Sequence, residues 1–182
     1  MALISCTKSV FENITIKNCG TDGIYLGENV SGVPNTDLIF TNVVCDNNSR
    51  QGVSIINARN ILFRFCKFLN TNGKLPQAGV DLEPDNVNAE IDNIIFEHCQ
   101  FRGNQGRGIV LQTSADFGTV VLNFCDISNN MAENIRVTGS GMVDNFKLLN
   151  SKVEGNNISL GSDTQVINSV YLINNDIKAN IS

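Results

Sequence analysis

Ile94 to Leu111 reads IIFEHCQFRGNQGRGIVL. An apolar pair, Ile94 and Phe96, is followed by Cys99, Phe101 and Asn104. Gly108 then introduces a second apolar pair, Ile109 and Leu111. The same ordered set of residue types recurs along the chain. Its first pair opens at Ile14/Ile16, Leu38/Phe40, Ile61/Phe63, Ile94/Phe96, Val120/Leu122, Phe146/Leu148 and Val170/Leu172, at intervals of 23–26 residues with one of 33. Periods of this length mark stacked repeats. The second pair is Ile24/Leu26, Val53/Ile55, Val80/Leu82, Ile109/Leu111, Ile135/Val137 and Ile158/Leu160, with Ile181 where the sequence stops.

The residue ahead of that second pair is restricted to Gly23, Gly52, Gly79, Gly108, Asn134, Asn157 and Asn180. Gly and Asn enter the left-handed backbone region at low cost, so a turn of that conformation is expected at each of these positions. Both apolar pairs have period two, the signature of short half-buried strands, and no stretch carries a helical period. Hairpins would show Asn-Gly or Asp-Gly loops between strands of matched length. A chain that coils back to stack strand on strand fits better, with successive coils about 4.8 Å apart. The fold expected is all-β, a single-stranded parallel solenoid of about seven coils.

The pattern I-x-I/F-x-x-C-x-F/I-x-x-N…G-I-x-L, from Ile14 to Ile181, resembles the parallel β-helix of the pectate-lyase-like superfamily. That group includes polysaccharide lyases, polygalacturonases, mannuronan epimerases and phage tailspikes. The resemblance implies a right-handed coil. It does not by itself choose an activity, since one scaffold hosts several chemistries. Gly20-Thr21-Asp22-Gly23 resembles the Asn-Thr-Asp segment of polygalacturonases, with Gly in place of Asn. Their Gly-His-Gly and Arg-Ile-Lys segments are absent, so that activity is not carried over.

The 182 residues suffice for one domain, residues 1–182, and 42% apolar content suits a packed core. Both ends stop in mid-coil, so the chain reads as a segment of a longer protein, with residues 1–13 an incomplete first coil or a cap. A net charge of −5 argues against a nucleic-acid partner. No apolar run approaches a membrane span, and no signal peptide is evident. The 27 Asn are expected in the turns, where the formal glycosylation sequons at Asn13, Asn47, Asn157 and Asn180 arise by accident. Cys66, Cys99 and Cys125 share one slot and are expected as a buried file of free thiols rather than disulfides or a zinc site. Free thiols suit cytoplasmic synthesis and assembly. The resemblance places the working protein at an extracellular surface or on a virion.

Two insertions, Asn70–Ala78 (NTNGKLPQA) and Glu83–Asn88 (EPDNVN), flank one strand and form a rim, where function tends to sit. Between them, Val80 and Leu82 face the core, so Asp81 and Glu83 face outward on one side, with Cα atoms about 6.8 Å apart. Paired outward carboxylates suit general acid and base work on a glycosidic bond, and Asp81 and Glu83 are the expected catalytic pair. With Asp85 they also form a candidate Ca²⁺ site, although no cofactor is required. Arg107, Gln112 and Asp116 lie in the next coil. Arg107 is expected near the carboxylates, where it could neutralise a uronate or sialate, with Arg50 and Arg136 extending the groove. Against these readings stand a solvated acidic strand and ordinary surface ion pairs. His98 shares its slot with Asn18, Asn42, Phe65, Phe124, Asn150 and Asn174, so Phe65, His98 and Phe124 should stack at a corner. Arg64 and Glu97 should pair one slot earlier.

Two functions follow. One is a carbohydrate-binding or polysaccharide-degrading β-helix resembling a tailspike, a lyase or a glycoside hydrolase, with an extended glycan on its outer face and three chains side by side. The other is a non-catalytic shaft or adhesion module.

Overall fold

The computed structural model describes residues 1–161 and 166–182. In chain order the strands are β1 (Ala2–Ile4), β2 (Thr7–Glu12), β3 (Thr15–Lys17), β4 (Ile24–Gly27), β5 (Asn35–Thr41), β6 (Val44–Asp46), β7 (Gln51–Ile55), β8 (Ala58–Arg64), β9 (Lys67–Leu69), β10 (Ala78–Leu82), β11 (Ile91–Glu97), β12 (Gln100–Arg102), β13 (Ile109–Thr113), β14 (Phe117–Asn123), β15 (Asp126–Ser128), β16 (Ile135–Gly139), β17 (Met142–Leu149), β18 (Lys152–Glu154), β19 (Ile158–Leu160), β20 (Val166–Ile173) and β21 (Asp176–Lys178). They form three seven-stranded sheets. The first is β1-β4-β7-β10-β13-β16-β19, the second β2-β5-β8-β11-β14-β17-β20, and the third β3-β6-β9-β12-β15-β18-β21. Every strand pair is parallel. Each coil therefore contributes one strand to each sheet, and the expected seven coils are present. Among the described residues no helix is long and apolar enough to cross a membrane.

Stacking like on like builds the core. Phe11, Phe40, Phe63 and Phe96 occupy one file, with ring centroids 4.8, 4.7 and 5.0 Å apart. Phe68 and Phe101 close edge-on against them from the third sheet. Cys66, Cys99 and Cys125 form the expected buried file, and all six cysteines are free. Each thiol of that file points at a carbonyl of the coil below, Cys66 Sγ to Phe40 O at 3.4 Å, Cys99 Sγ to Phe63 O at 3.4 Å and Cys125 Sγ to Phe96 O at 3.5 Å.

Two expectations are corrected. Gly23, Gly52, Gly79, Gly108 and Asn134 do not adopt positive φ. Small size is the reason for glycine here. A Cβ on Gly52 would lie 2.4 Å from Gly79 O, and one on Gly108 would lie 2.5 Å from Asn134 O. Left-handed residues fall instead between the second and third sheets, at Asn13, Asn42, Phe65, His98, Phe124, Asn150 and Asn174, and just after the third-sheet strands, at Asn18, Asn47, Asn70, Gly103, Asn129 and Gly155. The first coil is also shifted. Ser9 and Phe11, not Ile14 and Ile16, pair with Leu38 and Phe40, so Asn13 rather than Asn18 shares the slot of His98. Residues 1–13, expected as an incomplete coil or cap, carry β1 and β2, which pair with β4 and β5.

The corner stack forms as expected, with Phe65–His98 at 5.0 Å and His98–Phe124 at 4.8 Å. Arg64 Nε meets Glu97 Oε2 at 2.7 Å.

Candidate functional site

The outer face of the first sheet carries two files of side chains. Along the strands, Tyr25, Ser54, Asp81, Val110 and Arg136 are in register. Just ahead of the small-residue file stand Asp22, Gln51, Ala78, Arg107 and Glu133. The parallel register converts residues 26–29 apart in sequence into neighbours about one strand spacing apart.

The insertions wall this face. The first folds back on the preceding coil, with Lys74 N donating to Ser49 O at 2.6 Å, while Gly106 N of the following coil donates to Gln77 O at 3.0 Å. The second is tied to the loop after β4, since Asn86 Nδ2 donates to Glu28 Oε1 at 2.8 Å. Asn57 Nδ2 donates to the other Glu28 oxygen.

Asp81 faces away from the core as expected, yet it is only 1% exposed. Of the expected outward pair, Asp81 is buried and Glu83 half-buried, so the opposing picture of a solvated acidic strand does not hold for Asp81. Gln51 Nε2 donates to Asp81 Oδ2 at 2.7 Å, while Asp81 Oδ1 and Gln51 Oε1 are buried without a hydrogen-bond partner. Burial, and next the repulsion of Glu83, push the Asp81 carboxyl up to about 8. Arg50, Arg107 and the Gln51 hydrogen bond pull the other way and do not overcome them. Asp81 is therefore a neutral acid at pH 7.

Glu83 is held by Arg50, whose Nη2 lies 2.8 Å from Oε1 and 3.1 Å from Oε2, and Ser54 Oγ donates to Oε1 at 3.0 Å. Arg50 Nη1 also donates to Asp22 Oδ2 at 3.1 Å. Burial disfavours the Arg50 charge, but Glu83 and Asp22 more than offset it and raise its pKa. The Asp22 side chain is 8% exposed, and its Oδ1 has no hydrogen-bond partner. Burial raises its carboxyl despite Arg50. Tyr25 is raised by burial, then by the charges of Asp85, Glu83 and Asp22. An open hollow of about 320 Å³ beside this group is lined by Met1, Ala2, Thr21, Asp22, Tyr25 and Arg50.

Other expected members are placed differently. Arg107 Nε donates to Glu133 Oε2 at 2.8 Å, and Arg136 Nη1 reaches Glu133 Oε1 at 2.6 Å. Burial disfavours the Glu133 charge, but its own backbone N–H and the two arginines outweigh that and lower its carboxyl. Arg107 is thus near Asp81 in its field but bonded elsewhere. Gln112 is exposed and pairs in register with Thr138. Asp116 accepts from Met142 N at 2.8 Å and lines a separate hollow with Ser114, Ala115 and Ser140. Asp85 is exposed. No cluster of three or more His, Cys, Asp or Glu side chains suited to a metal ion occurs among the described residues, so the Ca²⁺ expectation at Asp81, Glu83 and Asp85 gains no convergent geometry.

Sequence reading did not assemble Tyr25, Gln51, Ser54 and Glu133 into the site. The signal was available for Tyr25 and Ser54. They hold the middle, outward position of a second pair, the rule that singled out Asp81. Gln51 and Glu133 precede the small-residue file, as Arg107 does.

Solved structures share this architecture. The A-module of mannuronan C-5 epimerase AlgE6 from Azotobacter vinelandii matches with 16% identity and a TM-score of 0.64, over 96% of this chain and 54% of that one. The A-module of mannuronan C-5 epimerase AlgE4 from the same organism matches with 17% identity and a TM-score of 0.64, over 97% and 56%. The Agl-KA catalytic domain matches with 13% identity and a TM-score of 0.53, over 97% and 47%. The chain spans about half the length of these structures. At such identities the likeness is one of fold. No curated protein matches the chain. The family model for the right-handed beta helix region matches residues 1–158, and the chain belongs to that family.

Proposed function

We propose that this β-helix acts on an extended polysaccharide laid across the outer face of its first sheet, with Asp81 and Glu83 as an acid and base pair. The observation that carries the reading is the contrast between two adjacent carboxyl groups. Asp81 is kept protonated at neutral pH by burial, while Glu83 is bonded to the Arg50 guanidinium. Environments that separate two such groups assign acid and base roles. Asp81 would donate its proton to a leaving glycosidic oxygen. Glu83 would take one from water or sugar through the lone pair of Oε2 that the Arg50 contact leaves. The fold shared with mannuronan epimerases supports a polysaccharide substrate at the level of class. A Ca²⁺ ion is not required for this scheme.

The burial of Asp81 favours a second reading. A glycan touches it only after a neighbouring side chain swings aside. A module that binds without cleaving needs no such motion. A shaft or adhesion role, with three chains side by side as in tailspikes, belongs with that reading.

The deciding experiment is turnover of a polysaccharide panel, read as release of reducing ends or of an unsaturated product, in wild type, Asp81→Asn and Glu83→Gln. Each substitution should lower turnover by roughly 10²-fold or more with the fold intact. Wild-type turnover in both variants would remove the pair from the mechanism. Binding without turnover in the wild type would select the non-catalytic reading.

A further inference from the structure

We propose that the hollow formed by Met1, Ala2, Thr21, Asp22, Tyr25 and Arg50 is a subsite for an uncharged, hydroxyl-rich sugar, so that the glycan is neutral rather than a polyuronate. This rests on the polysaccharide reading above and adds its substrate class.

The first support is the orphaned oxygen. Asp22 Oδ1 is buried on the wall of the hollow without a hydrogen-bond partner, although its side chain is more than nine-tenths buried. A buried acceptor without a donor is costly, and a ligand donor relieves that cost. Sugar hydroxyls donate. Beside it, Arg50 carries five N–H donors, more than its bonds to Asp22 and Glu83 consume, so it can donate to the oxygen of a neighbouring hydroxyl. The Tyr25 ring adds an apolar flank with a polar tip.

The second support is the state of the cations. A polyuronate presents carboxylates that ask for uncommitted guanidinium groups. Each of the six arginines in the sequence already lies within 4.0 Å of a carboxylate. Arg50 is shared between Asp22 and Glu83, and Asp85 adds a further negative charge near Tyr25. A substrate carboxylate here would have to displace an existing ion pair at Arg50. A neutral sugar would not.

The test is affinity electrophoresis of the full chain in gels holding dextran, β-glucan, mannan, alginate, polygalacturonate or chitosan, with Asp22→Asn and Tyr25→Ser alongside wild type. Tyr25→Ser places in this file the residue that the next coil holds at Ser54. The expected result is retardation by one or more of the neutral polymers, weakened at least tenfold in both variants at an unchanged thermal midpoint. Stronger retardation by alginate, polygalacturonate or chitosan overturns the neutral class and leaves the polysaccharide reading standing. Retardation by a neutral polymer that both variants retain overturns the location. No retardation by any polymer overturns both.

Discussion

Replacing Asp81 with Asn should stabilise the protein at alkaline pH and leave it little changed in acid. Asp81 titrates near 3.8 when solvated and at about 8 in the folded chain. Between those values the folded state holds a proton that the unfolded state has released. Stability then falls as pH rises, because the slope follows the protons bound unfolded minus those bound folded. The contribution is fully present below about pH 4 and is lost as pH passes through about 8. At about 1.4 kcal/mol per pH unit, the change across this window is roughly 5 kcal/mol, a ceiling because water entering beside Asp81 would soften it. Asn cannot ionise, and its side-chain oxygen still accepts from Gln51 Nε2. The assay is urea unfolding followed by circular dichroism for both proteins from pH 3 to 9. Carboxylates away from Asp81 titrate alike in the two, so the difference between midpoints isolates Asp81 together with its coupling to Glu83. With a urea slope of about 2 kcal/mol per molar, that difference should move by about 2 M in favour of the variant between pH 4 and 9. A difference flat with pH, or one moving toward the wild type, refutes a neutral buried Asp81.

Turnover, if present, should fall above about pH 8 as Asp81 loses its proton, and a rate still rising there would deny it the acid role. Phe63→Ala empties the centre of the phenylalanine file, between Phe40 and Phe96, and should cost about 3–5 kcal/mol in chemical unfolding; a loss under about 1 kcal/mol would contradict the packing. Gly108→Ala places a Cβ against Asn134 O, Asn130 Nδ2 and Ile127 Cγ2 at 2.5–2.9 Å, which should cost about 1–3 kcal/mol; near-neutral tolerance of Ala would refute the close approach. In native protein a thiol reagent should reach Cys6 and Cys19, with Cys45, Cys66, Cys99 and Cys125 reacting only on unfolding; a third fast thiol would show that the file is open.

The solenoid was legible because stacking repeats each inward position in every coil. Phe40, Phe63 and Phe96 had to be alike, since each packs on the next. The first coil misleads because one of its two inward positions is polar. Its inward residues, Ser9 and Phe11, are half-buried, so the apolar signal fades and Ile14/Ile16 imitates it five residues on. The small-residue file shows a second limit. Gly serves both left-handed turns and close backbone approach, and Asn134 in that slot mimics the first demand. Asn134 in fact meets the second by bonding Glu154 O and Asn156 O of the next coil.

The site divides along the same line. Strand parity identified Asp81 as facing away from the core, because parity is local. Its burial is not local. The groups that bond or surround it come from other coils. Gln51 lies thirty positions earlier, and Arg50 is drawn across to Glu83 by a pair spanning 33 positions. A sequence read one repeat at a time sees two acidic residues on a strand. Stacked in register, one becomes a neutral acid and the other a ligand of arginine. It is on this difference between like residues, set by neighbouring coils, that the proposed acid and base roles rest.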